Sequence, residues 1–474
     1  MKIQRSKILM QSMAALLALM ATHRQVQAGQ VWDGGGLDGL WSNSLNWDGN
    51  TLPSFGVPLQ FGGTLQLAAT NNLTGTVSGV TFNSGADAFT LTGSGVGNSV
   101  TLNGGILNSS STPQTVAFGT ITLGSAQTFR AEASLTVSSA IQLGANTLTI
   151  DTVGAENIEL KGDLSGTGGL MKIGDGVLFL NGSNTQSGPT LILAGVMAIG
   201  LGDSLSPNSD VTIQGGILDL VGNNATIGAL KDGGSSNGKL TNSTASSVVL
   251  TLGNNNDTGS FSGVIDGPVG LVKVGSGSQT LSGANTYTGP TTVNGGALIA
   301  GVASVPGFSG AFGVDSAVTL GNIAGAKMDI TGFDTRIGSL TGGGLLGGNI
   351  ILGAATLTVG GDGTSPGAAF GGVLTGTGGL LKIGSGTLGL SGANLYSGVT
   401  TIDAGTLQSG AANSLSANSE ISLSLGGVVD LAGYSNAIKG LNGLGGTVRN
   451  SGSASVNLTV GSGGGSGIFG GLVE

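Results

Sequence analysis

Short apolar runs alternate with Thr, Ser or Lys along most of this chain, and Gly, Asn or Asp bounds each run. Pairs such as Leu178/Leu180 and Leu388/Leu390 have the two-residue spacing that places side chains on one face of a β-strand. Turn-forming residues return about every 6–10 positions, and the repeated segments show no helical period. The pattern predicts an all-β protein built from short strands and tight turns.

Similar segments also recur at long intervals. Lys172, Lys273 and Lys382 occupy equivalent places in three similar stretches of sequence. Other residues recur with them in the same order, namely Asp219, Asp329 and Asp430, and Phe261, Phe370 and Phe469. Such self-similarity is typical of repeat architectures. We predict three repeat units of about 100 residues, spanning 164–264, 265–373 and 374–474, and a structural role for the recurring aspartates.

A shorter period of about 20 residues lies within each unit; Val274 and Val293, for example, stand one such period apart in like strand contexts. This period indicates a parallel β-solenoid, in which each coil hydrogen-bonds to the next over a continuous aliphatic core. Residues 29–474 would form roughly 22 coils, a rod of ~100 Å at ~4.8 Å per coil. A string of β-sandwiches is the alternative, but no break in composition after residue 63 marks separate cores. We expect the three lysines to point outward, opposite buried Met171 and Ile173.

Composition supports a folded chain with a distinct beginning. Glycine accounts for 95 of 474 residues, yet mean hydropathy is +0.33 and only 8% of residues are charged, unlike disordered chains. The three tryptophans, Trp32, Trp41 and Trp47, fall close together near the start. Because the first coil of a solenoid leaves its core and edge open, we predict an N-terminal cap over 29–62; an aromatic platform for carbohydrate is the alternative. Residues 63–163 are expected to be diverged coils of the same rod.

Residues 1–28 have the features of a secretory signal peptide. A basic start precedes an apolar stretch from Ile8 to Ala21, shorter than the roughly 20 residues that span a bilayer. Cleavage before Gly29 would remove His23, the sole histidine, and leave 11 basic against 24 acidic residues, a net charge of −13. This acidic balance argues against a nucleic-acid partner. With no cysteine in the chain, we expect an exported protein without disulfides.

Catalytic candidates are few. Without His or Cys, the mature chain excludes Ser-His-Asp and Cys-His arrangements and the usual zinc sites. A polysaccharide hydrolase or lyase would instead use two carboxylates about 5–9.5 Å apart. The candidates are Asp151, Glu156, Glu159 and Asp163, with the close pair Asp334 and Arg336. We interpret them as solvated turn or strand-edge charges, regard a calcium turn at 360–364 as weaker still, and expect no enzymatic activity, cofactor or metal.

The segments around the lysines resemble the passenger-associated transport repeat, also called the autotransporter-associated β-strand repeat. The family pattern is roughly L-x-K-x-G-x-G-x-L-x-L-S-G-x-N-x-Y-x-G-x-T-x-V-x-x-G-x-L. Beside the lysines, the matching motif positions include Asn285, Tyr287, Asn394 and Tyr396, and the first unit departs with Gln186 where tyrosine is expected. The resemblance implies a right-handed parallel β-helix that serves as the passenger of a type V secretion system, with repeats that assist transport.

The resemblance also implies a partner and a location. Such a passenger is secreted or displayed at the cell surface of a Gram-negative-type bacterium through a C-terminal outer-membrane β-barrel. Phe469–Glu474 aligns with Phe261–Asp266, so we expect a fragment that ends within a repeat and the barrel beyond residue 474. We predict a structural, adhesin-like segment that contacts host or matrix carbohydrate or protein. The alternatives are the carboxylate enzyme above and an extracellular-matrix protein with another C-terminal sorting segment.

Overall fold

A computed structural model describes residues 29–474 except Phe55 and Asp203; the predicted signal peptide lies outside the described residues. The described chain winds into a parallel β-solenoid of about 20 turns, which confirms the all-β solenoid class predicted from the sequence. Short 3-10 helices occur at Ser44–Asn46, Asp48–Asn50, Gly95–Asn98 and Ser462–Gly464. In the described ranges, no helix is long and apolar enough to cross a membrane.

The strands are short because each turn bends at three corners. In chain order, the first half contains β1 (Gln30–Trp32), β2 (Leu59–Phe61), β3 (Ala68–Asn71), β4 (Thr76–Val77), β5 (Val80–Phe82), β6 (Thr90–Gly93), β7 (Ser99–Leu102), β8 (Ile106–Asn108), β9 (Gln114–Ala117), β10 (Thr120–Leu123), β11 (Gln127–Ala131), β12 (Leu135–Val137), β13 (Ala140–Gly144), β14 (Leu148–Thr152), β15 (Asn157–Leu160), β16 (Leu164–Gly166), β17 (Leu170–Ile173), β18 (Val177–Leu180), β19 (Thr190–Ile192), β20 (Val196–Ile199), β21 (Val211–Ile213), β22 (Ile217–Asp219), β23 (Ala225–Thr226) and β24 (Leu230–Lys231).

The second half contains two longer strands, β42 and β43, that continue around a corner. Its strands are β25 (Lys239–Thr241), β26 (Val248–Leu252), β27 (Gly259–Phe261), β28 (Val264–Ile265), β29 (Val269–Lys273), β30 (Ser278–Leu281), β31 (Thr291–Val293), β32 (Ala297–Ala300), β33 (Val318–Leu320), β34 (Lys327–Asp329), β35 (Thr335–Ile337), β36 (Leu340–Gly342), β37 (Asn349–Gly353), β38 (Leu357–Val359), β39 (Leu374–Gly376), β40 (Leu380–Lys382), β41 (Thr387–Leu390), β42 (Thr400–Ser409), β43 (Glu420–Asp430), β44 (Asn436–Ile438), β45 (Gly440–Asn442), β46 (Thr447–Arg449), β47 (Leu458–Val460) and β48 (Leu472–Val473).

The parallel sheets form three faces of the solenoid. From β2 onward, each turn of the chain passes along face 1, face 2 and face 3 in that order. In some turns, the segment on one face is not a β-strand. Face 1 holds the ten-stranded sheet from β1 to β24 and continues with the sheet from β27 to β39 and with β44 and β47. Face 2 holds the sheet from β3 to β28 and continues with β35, β38, β40, the first halves of β42 and β43, and β45. Face 3 holds the sheet from β4 to β16 and continues with the sheet from β23 to β36, β41, the second halves of β42 and β43, β46 and β48.

Inward side chains alternate with outward ones along the strands, and the inward ones stack from turn to turn into one core. Most are Leu, Ile and Val, which pack well on a pleated surface. The N-terminal end differs, because its core is aromatic. Trp32 meets Trp47 edge-on at 5.1 Å between ring centroids, and Trp41 meets Trp47 at 5.9 Å. All three tryptophans are fully buried, so none offers a stacking surface to carbohydrate.

Candidate functional site

The motif lysines point into the core, so the outward orientation expected from the sequence is wrong. Lys172, Lys273 and Lys382 are at most 1% exposed, whereas Met171 and Ile173 are the partly exposed, outward residues. The reason is strand periodicity: each lysine stands two residues after a buried leucine and therefore shares its face. Lys172 lies in register between the buried Ile150 and Ile192, and its ammonium reaches the corner at the end of the strand.

At that corner, the ammonium is held mainly by backbone carbonyl groups. Lys172 Nζ donates to Ile173 O at 2.6 Å and Gly174 O at 2.7 Å, in its own turn. It also donates to Thr152 Oγ1 at 2.9 Å in the preceding turn, and lies 3.5 Å from Ala194 O in the following one. Lys172 thus contacts three consecutive turns. We call its contacts with the carbonyl groups of its own turn and of the following turn the lysine clamp.

The clamp recurs in the other two units. Lys273 Nζ donates to Val274 O, Gly275 O (3.2 Å) and Gly295 O (3.3 Å), and Lys382 Nζ donates to Ile383 O (2.6 Å), Gly384 O (2.9 Å) and Ala404 O (3.3 Å). In each unit, the acceptors are the first, second and twenty-second residues after the lysine. A buried charge normally requires such partners. Because the same three acceptor positions recur in all three units, we interpret the clamp as a structural feature of the repeat.

Burial has a measurable consequence for these lysines. Desolvation lowers the pKa of Lys172 and Lys273 to about 8, and it lowers the pKa of Lys382 in the same direction. Nearby carboxylates oppose this shift at Lys172, where Asp151 and Asp175 favour the charged form, and at Lys382, where Asp362 does. The clamp therefore holds a cation whose charge is destabilised by its surroundings.

A motif glycine leaves room for the clamp. Gly405 has a φ of 72°, and a Cβ there would lie 2.4 Å from the carbonyl oxygens of Gly384 and Gly386 and 2.9 Å from Lys382 Nζ. Gly195 is equivalent in the first unit, with a φ of 65° and a Cβ position 2.8 Å from Lys172 Nζ. The left-handed backbone and the lack of space both require glycine at this position.

The motif asparagines occupy segments that lack a strand and replace part of the backbone ladder. Each Oδ1 accepts from a backbone N–H in the preceding turn, and each Nδ2 donates to a backbone carbonyl in the following turn. These bonds are Leu164 N to Asn184 (2.7 Å) and Asn184 to Ser204 O (2.5 Å), Ile265 N to Asn285 (2.8 Å) and Asn285 to Ala311 O (2.8 Å), and Leu374 N to Asn394 (2.8 Å) and Asn394 to Ser414 O (2.7 Å). Asn184 was missed in the sequence, although its spacing from the preceding motif lysine is the same as in the other two units.

The motif tyrosines begin a buried chain of hydroxyl groups. Tyr396 Oη pairs with Thr400 Oγ1 at 2.6 Å, Thr400 pairs with Ser419 Oγ at 2.8 Å, and Ser419 donates to Gly398 O at 2.7 Å. Tyr287 makes the same start with Thr291, at 2.8 Å. Burial raises the pKa of Tyr396 to about 12, so this hydroxyl stays protonated. In the first unit, Gln186 takes the tyrosine's place and its Oε1 is buried without a hydrogen-bond partner.

The three clamps lie on three different faces. The chain advances by twelve strands from β17 to β29 and also passes two segments that are not strands. From β29 to β40 it advances by eleven strands and passes three such segments. Each interval is therefore fourteen segments, or four turns and two further faces. Lys172 lies on face 1, Lys273 on face 3 and Lys382 on face 2. One clamp thus reinforces each sheet of the solenoid.

The carboxylate candidates are engaged in local contacts. Asp151 pairs with Arg130 at 2.5 Å, Glu156 accepts from Ser134 at 3.3 Å, Glu159 accepts from Asn181 at 2.7 Å, and Asp163 accepts from the Ser183 N–H at 2.7 Å. Arg336 binds Asp315 through two nitrogens, while Asp334 accepts from the Thr356 N–H. In the described ranges, no group of three or more His, Cys, Asp or Glu could hold a metal ion.

The recurring aspartates cap turns. Asp219, Asp329 and Asp430 each accept, at 3.0 Å, from the backbone N–H two residues on. Asp219 and Asp430 also accept from a backbone N–H in the next turn, at 3.0 Å. In the 360–364 turn, Asp362 likewise accepts from the N–H groups of Thr364 and Ser339. The structural role predicted for Asp219, Asp329 and Asp430 agrees with these contacts.

Comparison with known proteins places this geometry in context. Residues 170–199, 271–300 and 380–408 match the passenger-associated-transport-repeat family, which confirms the resemblance seen in the sequence. Over 283 residues, the chain is 33% identical to a protein of Brucella suis biovar 1 (strain 1330) named "Adhesin BmaC autotransporter". The match covers 56% of this chain but only 8% of the relative's length. No solved structure matches the chain.

Proposed function

We propose that this chain, which carries three passenger-associated transport repeats, is a segment of an exported autotransporter passenger with an adhesin-like, non-enzymatic role. It would extend from the cell surface as a rod after passing through an outer-membrane β-barrel, which we expect elsewhere in the whole protein. The single observation that carries the proposal is the coincidence of the matched repeats with the lysine clamps. Each family match begins within the strand that contains a clamp lysine or at its first residue.

A physical argument links the clamps to transport. A chain that crosses a membrane pore must be unfolded inside it, and in a solenoid each turn can then fold on its neighbour as it emerges. The clamp joins adjacent turns through one side chain and needs no disulfide. We propose that each clamped turn folds soon after it leaves the pore and thereby prevents the chain from sliding back into the pore.

The test is deletion of the clamped turns from the full gene in the producing bacterium. Each deleted segment comprises two whole turns, and the three segments are residues 170–210, 271–317 and 380–420. In the first, residues 170, 190 and 211 are in register; the corresponding positions are 271, 291 and 318 in the second and 380, 400 and 421 in the third. Removing all three segments should lower the surface-exposed passenger at least tenfold, measured by protease accessibility on intact cells.

The matched control removes residues 106–149, which are also two whole turns and contain no partner of a clamp lysine, because residues 106, 129 and 150 are in register and Thr152 is kept. This deletion should leave surface exposure within about twofold of the parent. Equal export of the clamp-deleted and parent proteins would contradict the proposed role of the repeats, and retention of the passenger in the cytoplasm would contradict the export route itself.

A further inference from the structure

A groove of about 320 Å³ lies on the outward side of face 2, across β12, β15 and β18. Its polar and aromatic lining consists of Ser134, Thr136, Asn157, Glu159, Phe179 and Asn181. Phe179 stands in register between Glu159 and Ala198. The ring is partly exposed, on a strand position where the side chain points away from the core. The outward side of face 2 thus presents a phenyl ring to solvent beside amide groups and a carboxylate.

The repeat itself shows that the fold does not require this lining. The equivalent positions of the second unit hold Ser260, Thr280 and Ser282 in place of Glu159, Phe179 and Asn181. A groove of about 380 Å³ forms there too, lined by Thr258, Ser260 and Thr280 among others. The third unit has Ala369, Gly389 and Ser391. The same turn thus folds with hydroxyls or with almost no side chain, so the phenyl and its polar neighbours are a property of the first unit alone.

The polar groups beside the ring are fixed in place. Asn181 Nδ2 donates to Glu159 Oε1 at 2.7 Å, and Lys161 Nζ lies 3.4 Å from Glu159 Oε2. Thr136 and Asn157 lie on the neighbouring strands of the same sheet. The groove therefore combines an apolar ring face with fixed donors and acceptors along its edge. A pyranose has the complementary form, with one face of C–H groups and a rim of hydroxyls.

We propose that this groove binds pyranose units of a polysaccharide, with Phe179 stacking on the sugar ring and Glu159 and Asn181 bonding its hydroxyls. The inference rests on the proposed function, since it names the class of ligand that an adhesin-like passenger would hold. It is separate from the tryptophan cluster, whose rings are buried. The polysaccharide has two possible sources, the envelope of the producing bacterium or the glycans of an animal cell.

The test is affinity electrophoresis of the exported chain through gels containing one of two probes: envelope polysaccharide from the producing bacterium, or soluble glycans released from animal cells. Retardation by one probe and not by the other identifies the source. Phe179→Thr, which installs the residue of the second unit, should weaken that retardation at least tenfold. Asn181→Ser and Glu159→Ser should each weaken it several-fold, and Phe179→Tyr should retain it.

The matched control is Thr280→Gly, which exchanges the equivalent outward residue for that of the third unit and should leave retardation unchanged. Circular dichroism should show the same strand content in every variant. Absence of retardation by both probes, or equal retardation of the parent and Phe179→Thr, would overturn the inference. Because this assay uses chain that has already been exported, a negative result here leaves the export proposal standing. Equal export of the clamp-deleted and parent proteins would contradict the role of the repeats and leave the groove standing.

Discussion

The first turns and the clamped turns keep the solenoid together in different ways. In the described ranges, every aromatic ring pair in contact lies between Trp32 and Phe118. The clamped turns instead have an aliphatic core with a charged amine at one corner. We propose that the large rings of the first described turns close the core at that end, as the cap predicted over 29–62 would. An interior turn is covered by its neighbours. We infer that the lysine contacts in such a turn instead fix the register between adjacent turns.

Turn length shows the same contrast. In the first turns, paired residues are 29 apart for Gln30 and Leu59, 21 apart for Leu59 and Val80, and 26 apart for Val80 and Ile106. In all three clamped turns, the lysine pairs with a residue 20 positions later. A fixed contact between the lysine and the corner of the following turn leaves little freedom in chain length. The clamped turns therefore share one length, whereas the aromatic turns vary from 21 to 29 residues.

The largest expected effect comes from breaking the aromatic end. Trp47→Ala removes a ring that contacts both other tryptophans, and it should lower the free energy of unfolding by about 3–5 kcal/mol. Guanidinium denaturation followed by tryptophan fluorescence would measure this, because all three tryptophans of the chain lie at that end. Leu37→Ala, at a fully exposed position, should change stability by less than about 0.5 kcal/mol. If both variants lost a similar amount of unfolding free energy, the aromatic cluster would not be what stabilises the first turns.

The next effect tests the glycine of the clamp. Gly405→Ala combines a strained left-handed φ with close contacts to two carbonyl oxygens, and it should cost about 2–4 kcal/mol. Gly325→Ala is the control, because Gly325 has a φ of 84° but no atom within 4 Å of its Cβ position. That change should cost only about 1–2 kcal/mol. Denaturation midpoints would show the difference, and equal losses would mean that the space beside Lys382 does not matter.

A smaller effect, with a pH signature, concerns the lysine. Lys273→Met leaves buried carbonyl groups unpaired and should cost about 1–3 kcal/mol at pH 7. The pKa of Lys273 falls from 10.5 to about 8 on folding, so the unfolded chain binds more protons between these values. Lys273 therefore makes the free energy of unfolding rise with pH between about 8 and 10.5, and the variant should lose that contribution.

Unfolding of both proteins at pH 7 and pH 10 would measure this signature. Lys161→Met serves as the control, since Lys161 is half exposed on an outward position. It should change stability by less than about 0.5 kcal/mol at either pH. If the gap between parent and Lys273→Met does not widen from pH 7 to pH 10, then Lys273 is not a buried, destabilised cation.

The smallest effect would make the first unit more like the others. Gln186→Tyr replaces a buried, unpartnered amide oxygen with a hydroxyl that can pair with Thr190, as Tyr396 pairs with Thr400. We expect a gain of about 1 kcal/mol in the free energy of unfolding. Tyr396→Gln should show a loss of similar size. Opposite signs in these two reciprocal changes, measured by denaturation, support a common role for the tyrosine position, and a loss in both would contradict it.

The solenoid itself was predictable, because the short coil period and the two-residue alternation are both local features of the sequence. The outward orientation expected for the lysines is wrong, because position in the strand decides the face and charge does not: Leu170 and Lys172 share one face, whatever their polarity. The carbonyl groups that accept from Lys172 include that of Ala194 in the following turn, and only the folded turn brings it near. The outward Phe179 could have been found by aligning the units, where it stands against Thr280 and Gly389.

The central claim is that residues 29–474 form one uninterrupted solenoid, and small-angle X-ray scattering of the purified chain tests it most directly. About 20 turns at ~4.8 Å per turn predict a single rod of ~100 Å with a uniform cross-section. The distance distribution should have one early maximum, set by the cross-section, and a long linear decline to that length. Several maxima, as produced by separate globular modules joined by linkers, would contradict the account.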